Sequence, residues 1–111
     1  MTTTEPRPPT HLSDRTKKLW RTIAAKFDLA PEHLEMLRLG LEALDRCDQA
    51  RRQLAKDGLV VVGARGAPQR HPLVDVEIQS RTAALRIFRE LGLTAYLDDG
   101  PPDRDGRGKF R

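Results

Sequence analysis

A mainly α-helical fold is what this sequence predicts: three helices, the middle one long, with a small β-hairpin between the second and the third. Three observations carry that expectation. Apolar residues recur at helical spacing through three separate stretches. Proline and glycine punctuate the joins between them. A β-branched run, Leu59-Val60-Val61-Val62, leads directly into a glycine-bearing turn, Gly63 to Ala67. The 111 residues suit one domain with loose ends. A chain this short buries roughly 60–70% of its unfolded surface, so a lone copy has a modest core, and oligomerisation is an ordinary remedy.

Residues 1–12 read as a flexible arm: threonines, then Pro6, Pro8 and Pro9. The domain proper spans 13–97. Ser13 is a good N-cap, and Asp14 in the first turn suits the helix dipole. Leu19, Trp20, Ile23, Ala24 and Phe27 then form one apolar stripe, placing a first helix over 13–27, with cationic side chains around the rest of its circumference. Leu29, Ala30 and Pro31 break it. Proline is favourable at a first helical position, and the second helix runs over 31–57, roughly 40 Å, to Gly58, expected as a left-handed cap. A hairpin follows over 58–70 with Arg65 at its tip. The third helix covers 72–91, again opened by a proline, with Val74, Ile78, Leu85 and Phe88 as its main stripe and Gly92 as its stop. Residues 98–111 hold three glycines, two prolines and eight charged residues, and read as a disordered tail.

The second helix carries two apolar stripes, centred about 110° apart. One is Leu34, Leu37, Leu41 and Leu44. The other is built mostly of small residues: Met36, Gly40, Ala43, Cys47, Ala50 and Leu54. Small residues at this spacing let another backbone approach closely. Two occupants are open for the second stripe, the chain's own third helix or a neighbouring subunit. The breadth of the face against so short a chain favours the subunit contact.

The net charge of +4 is unevenly spread. Residues 1–30 carry six Lys/Arg against three acids, and residues 58–71 carry Arg65 and Arg70 with no acid, while the rest nearly balances. The excess points to Arg7, Arg15, Lys17, Lys18, Arg21 and Lys26, with Arg65, as DNA-phosphate contacts; the bland alternative is a solvated basic surface. Arginine outnumbers lysine by fifteen to five, which suits phosphate contact but also follows from GC-rich coding DNA. Whether the first two helices form a helix-turn-helix stays open; the acidic start of the second makes it a poor reading head. A single cysteine, Cys47, forbids an intrachain disulfide and suggests a reducing compartment. The polar start holds no signal peptide, and no apolar run approaches the ~20 residues of a spanning helix, so a soluble intracellular protein without membrane association is expected.

Catalytic patterns are missing. The turn from Gly63 to Gly66 lacks the Gly-Lys-Ser/Thr of a phosphate-binding loop. His11, His33 and His71 are scattered, and one cysteine cannot complete a usual zinc site, so neither a metal nor a cofactor is expected. His71 suits positioning or capping the third helix. Cys47 reads as a packed thiol, Glu42, Asp45 and Asp48 as a salt-bridged face, and Trp20 as a core side chain rather than a base-stacking one.

The order of punctuators carries a resemblance. Lys56-Asp57-Gly58-Leu59-Val60-Val61 ends the long helix. After the turn comes Arg70-His71-Pro72-Leu73-Val74, then a helix closing in Leu91-Gly92-Leu93-Thr94. Over about residues 29–95 this resembles the phage terminase small subunit family, with its Gly-Leu hairpin, His-Pro helix start and closing Gly-Leu-Thr; Ala95 stands where a proline is common. The resemblance implies a non-catalytic, mostly helical, ring-forming homo-oligomer. Such a subunit binds double-stranded viral DNA near the packaging start, in the cytoplasm of the bacterial host. It also recruits or regulates a separate large subunit bearing the ATPase and nuclease. Two other readings compete: a small dimeric DNA-binding transcriptional regulator, which requires a palindromic site, and an oligomeric adaptor that does not bind DNA.

Overall fold

The computed structural model describes residues 6–97. The elements follow in the order α1 (Asp14–Lys26), α2 (Pro31–Asp57), β1 (Val60–Val62), β2 (Pro68–Arg70) and α3 (Leu73–Leu91), closed by a 3-10 turn, Thr94–Leu97. The mainly helical class and the hairpin between the second and third helices are therefore as expected. The tail expected over 98–111 and the first five residues of the expected arm lie outside the described residues.

Local chemistry explains each boundary. Ser13 caps α1, its hydroxyl accepting from the Thr16 amide, and Phe27 turns extended to end it. Ala30 is extended ahead of Pro31, which opens α2 with a preset φ and no amide to leave unsatisfied. Gly58 has positive φ (81°) but extended ψ (167°), so it is not the expected left-handed cap; it swings the chain straight into β1. β1 and β2 pair antiparallel, Val60 opposite Arg70, Val61 opposite Gln69 and Val62 opposite Pro68. Gly63 N–H donates to the Ala67 carbonyl, and Gly66, at φ 80°, occupies the left-handed position of the three-residue loop, where a side chain would be strained. Gly92 is a left-handed cap of α3, and Leu93 N–H reaches back to the Phe88 carbonyl at 2.8 Å while its side chain enters the core.

The two helix joins produce antiparallel packing on both sides of α2. α1 runs back along its N-terminal half: Ser13 meets Asp45 and Arg15 meets Asp48, while α1 ends beside the start of α2. The first two helices thus form an αα-hairpin. α3 also runs back along α2, with Glu77 beside Cys47 and Arg51 and Phe88 beside Gly40. Trp20 and Ile23 from α1, Leu37 and Leu41 from α2, and Phe88 from α3 form the core, closed by Leu12 and Leu93 from the flanks.

Two expectations need correction. The small-residue stripe assigned to a subunit contact is occupied within the chain: Gly40, Ala43, Cys47 and Ala50 are buried, and Met36 and Leu54 half-buried, with α3 along the same stripe. The physical reason is mutual. α3 turns its own small residues, Ser80 and Ala84, toward α2, so the two backbones approach closely along that stripe. Consequently only Phe88 of the expected third-helix stripe is buried; Ile78 and Leu85 lie exposed. Residues 6–12, read as a flexible arm, lie against the helices. Leu12 is buried, Trp20 Nε1 donates to the Pro6 carbonyl at 2.8 Å, and His11 Nε2 sits 2.6 Å from Glu42 Oε2.

Candidate functional site

The chemistry-bearing feature with the most internal support is the outward face of α1. Lys18 and Arg21 are exposed on it, Lys26 is exposed at its last turn, and Lys17 is half-buried at its edge. The ion pairs among the described residues involve none of these four. Asp14 is the one acid within the helix. Arg7 is exposed in the segment leading to it. Arg15 differs: it turns toward α2 and holds Asp48 Oδ2 at 2.7 Å. Arg65 is exposed at the hairpin tip, beyond the far end of α2 from the α1–α2 turn. Of the seven candidate cations, five therefore lie on α1, and four of these, Lys17, Lys18, Arg21 and Lys26, are on its outward face or at its edge. Arg15 faces the protein, and Arg65 stands apart within one copy.

What fixes this face is an acidic row on α2, whose role sequence reasoning assigned only generally. Asp45 accepts from Ser13 N at 2.9 Å, from Ser13 Oγ at 2.6 Å and from Thr16 Oγ1 at 3.0 Å. A carboxylate from α2 thus sits on the N-terminus of α1, where the helix dipole favours a negative charge. Burial pushes the Glu42 carboxyl up, but hydrogen bonds from His11 and Arg38 outweigh this and leave it below its ordinary value. The sequence signal was the i, i+3 spacing of Glu42, Asp45 and Asp48, which puts all three near one face; it did not say that the N-terminal segment and α1 supply their partners.

A second knot ties α2 to the hairpin and α3. His71 is buried; its Nδ1 accepts from Leu73 N at 3.0 Å, which leaves Nε2–H to donate to Asp57 Oδ2 at 2.9 Å, and its amide bonds the Leu59 carbonyl. His71 thus holds the first amide of the third helix from just ahead of its N-cap, Pro72. Hydrogen bonds from Gln53 and then His71 hold the Asp57 carboxyl below its usual value. Further along the α2–α3 seam, burial pushes the Cys47 thiol up, and its Sγ lies 3.5 Å from Glu77 Oε2, which also receives Arg51 and Arg81. That thiol is a packed group, and Trp20 is likewise a core side chain.

Beside the hairpin lies an open apolar groove of about 350 Å³, lined by Leu59, Val60, Pro68, Gln69, Arg70 and Val74. No group of three or more His, Cys, Asp or Glu among the described residues is arranged to hold a metal ion. No described helix is long and apolar enough to cross a membrane.

Residues 16–96, from the basic helix through the hairpin to the final 3-10 turn, match the family model described as phage terminase, small subunit. The chain belongs to that family. Comparison with curated proteins and with solved structures finds no match. Membership places this terminase small subunit in phage DNA packaging, and its family is generally non-catalytic. The matched span contains α1 with Lys17, Lys18, Arg21 and Lys26, which the resemblance noted over 29–95 did not reach.

Proposed function

We propose that this terminase small subunit binds double-stranded viral DNA near the packaging start through the outward face of α1, and recruits or regulates the large ATPase/nuclease subunit as a ring-forming homo-oligomer in the host cytoplasm. The observation that carries the DNA part is the solvent-facing set Lys18, Arg21 and Lys26, with Lys17 at its edge, on a helix pinned at its N-terminus by Asp45. Pinning matters because a rigid row of cations loses little conformational entropy on meeting a phosphate backbone. Arg7 extends the row along the preceding segment. One such face is weak at physiological salt; repeating it around an assembly raises the effective concentration of each further contact. Arg65, remote from α1 in one copy, becomes a second cationic position for DNA only when several copies present both.

The experiment is fluorescence anisotropy of a labelled duplex across a salt series. Binding should weaken linearly on log–log axes, with a slope of about 0.9 per phosphate neutralised. Lys18→Ala with Arg21→Ala should reduce that slope by about two in a monomeric complex, and by more in an assembly. An unchanged slope in the double variant sinks the α1 assignment. Salt-independent or absent binding by the assembled wild type sinks the DNA reading.

A further inference from the structure

The hairpin is guarded on one edge and open on the other. Cross-strand partners sum to a constant register, and the bonds Gly63 N to Ala67 O and His71 N to Leu59 O identify Leu59, Val61 and Gly63 as the residues whose backbone groups face β2. By the alternation of an antiparallel ladder, the N–H and C=O groups of Val60 and Val62 point away from β2, into solvent. On β2 the equivalent outward positions are Pro68 and Arg70, so that edge presents a proline without an N–H and a charged side chain, two ordinary guards against strand addition. β1 has neither. It carries Val60 and Val62 at 61% and 77% exposure, with Leu59 just before it at 64%, the most exposed large apolar side chains among the described residues. Three-residue strands in a lone hairpin are marginal, and a longer sheet relieves that.

We infer that the open edge of β1 is a self-pairing surface, joining two copies of this chain strand to strand about a two-fold axis at Val61. The register follows from the outward groups. Setting Val60 against Val62 of the other copy, and Val62 against its Val60, makes both pairs hydrogen-bonded and uses every outward group of the strand. It also gathers four valine side chains on one face of a four-stranded sheet, the cross-strand contact that stabilises sheets. Charge agrees with this register and not with its neighbours. Asp57 lies four residues before Val61 and Arg65 four after it, so the axis brings each copy's basic tip toward the other's Asp57. A slip in either direction loses one of the two hydrogen-bonded pairs and that charge match. A second copy is the occupant because one short, acid-free segment supplies both the apolar edge and its complement.

A two-fold contact is closed and makes pairs, not rings. A ring therefore needs another, different surface, so this pairing goes beyond the proposed function and its test needs no DNA. A failure to bind DNA leaves it standing, and a failed pairing leaves the α1 assignment standing.

Disulfide trapping on the full chain tests it. In a Cys47→Ser background, Val61→Cys places two thiols opposite each other at a non-hydrogen-bonded pair, about 4.5 Å between Cα atoms, within reach of a disulfide. Mild oxidation should give a covalent dimer on a non-reducing denaturing gel. Val60→Cys should link far less, because its own counterpart lies diagonally about 7–8 Å away. Adding Val62→Lys, at an exposed position that leaves the internal ladder intact, should cut the rate of Val61→Cys linking by about tenfold or more. Circular dichroism confirms that the helices persist in each variant. No covalent dimer from Val61→Cys in a folded chain overturns the proposal. So does faster linking through Val60→Cys, or linking that ignores Val62→Lys, since each points to a different register or to chance collision. Wild-type material that sediments as a monomer at high concentration overturns it as well.

Discussion

Gly40→Ala sets two named effects against each other. Replacing glycine by alanine inside a helix ordinarily gains about 1 kcal/mol. Here the new Cβ would stand 2.8 Å from Phe88 Cε1, 3.1 Å from Phe88 Cδ1 and 3.0 Å from Ile87 Cγ2. Phe88 is fully buried in the cluster formed with Ile23, Leu37 and Leu41, so its ring has no open direction in which to retreat. Forcing a methyl into such a core costs typically about 1–3 kcal/mol, so the net change is a destabilisation of about 1 kcal/mol. Gly40→Val, with a bulkier group and a smaller propensity gain, should lose about 2–3 kcal/mol. In a domain of this size, 1 kcal/mol lowers Tm by about 4–8 °C. Urea unfolding read by Trp20 fluorescence, with sedimentation at the same concentration, gives both answers needed. A gain in stability for Gly40→Ala would show that the α2–α3 seam is looser than its geometry. Unchanged unfolding with a collapse of the assembly would return the small-residue stripe to a subunit interface and refute its place in the intrachain core.

Asp45→Ala removes the acceptor for Ser13 N, Ser13 Oγ and Thr16 Oγ1; the Thr16 hydroxyl has the Ser13 carbonyl as its other acceptor, which limits the loss to about 2 kcal/mol by thermal unfolding, with Asp45→Asn in between. Arg15→Ala, which removes a partner of Asp48, should leave the salt slope of DNA binding unchanged and cost at most about 1 kcal/mol of stability; a slope reduced as much as by Lys18→Ala would put Arg15 back on the DNA face. Acid should loosen the fold. Glu42, Asp57 and Glu77 all have carboxyls depressed below their ordinary values in the folded chain. Their stabilisation is complete above the unfolded carboxylate range and is lost as pH falls through the depressed values. A urea midpoint that stays flat from neutrality down through that range would contradict the pairing of these three.

The helices were legible in the sequence because their limits depend on single residues with strong local preferences. Ser13, Pro31 and Gly92 act through their own backbone or hydroxyl, and the structure uses each as a boundary. Gly58 shows the limit of that reasoning: positive φ was foreseeable, but ψ is set by the strand that the next residues enter. The occupant of the small stripe was not legible. Gly40, Ala43, Cys47 and Ala50 announce a close backbone neighbour, but periodicity cannot distinguish the chain's own α3 from another copy. The deciding clue lay elsewhere, in Ser80 and Ala84, whose small size on α3 matches that stripe. The α1 cations were legible as a group. The pairing of Arg15 with Asp48 was not legible, because the two lie 33 residues apart and no local rule couples them.

The acids of α2 look like an obstacle to DNA binding until their partners are counted. Left open to solvent beneath α1, Glu42, Asp45 and Asp48 would cancel the field of Lys17, Lys18 and Arg21 within a Debye length of about 8–10 Å. Instead His11 and Arg38 engage Glu42, Ser13 and Thr16 engage Asp45, and Arg15 engages Asp48. The hydroxyls and the α1 N-terminal amide satisfy Asp45 by hydrogen bonding, while Arg15 and Arg38 turn their cations to the seam. The interaction therefore sharpens the charge pattern without enlarging it: Arg38 and Arg15 offset Glu42 and Asp48 on the seam, Asp45 is engaged by hydrogen bonds, and the outer face of α1 keeps Lys18 and Arg21. Charge reversal at the seam separates this from simple net charge. Asp48→Lys adds two positive units overall, yet it should repel Arg15 and loosen α1, so DNA affinity at moderate salt should fall or stay level. An affinity that rises as it does when a lysine is added on the exposed face of α1, for instance Thr22→Lys, would mean that DNA responds to total charge alone and that the pinned helix has no special part in binding.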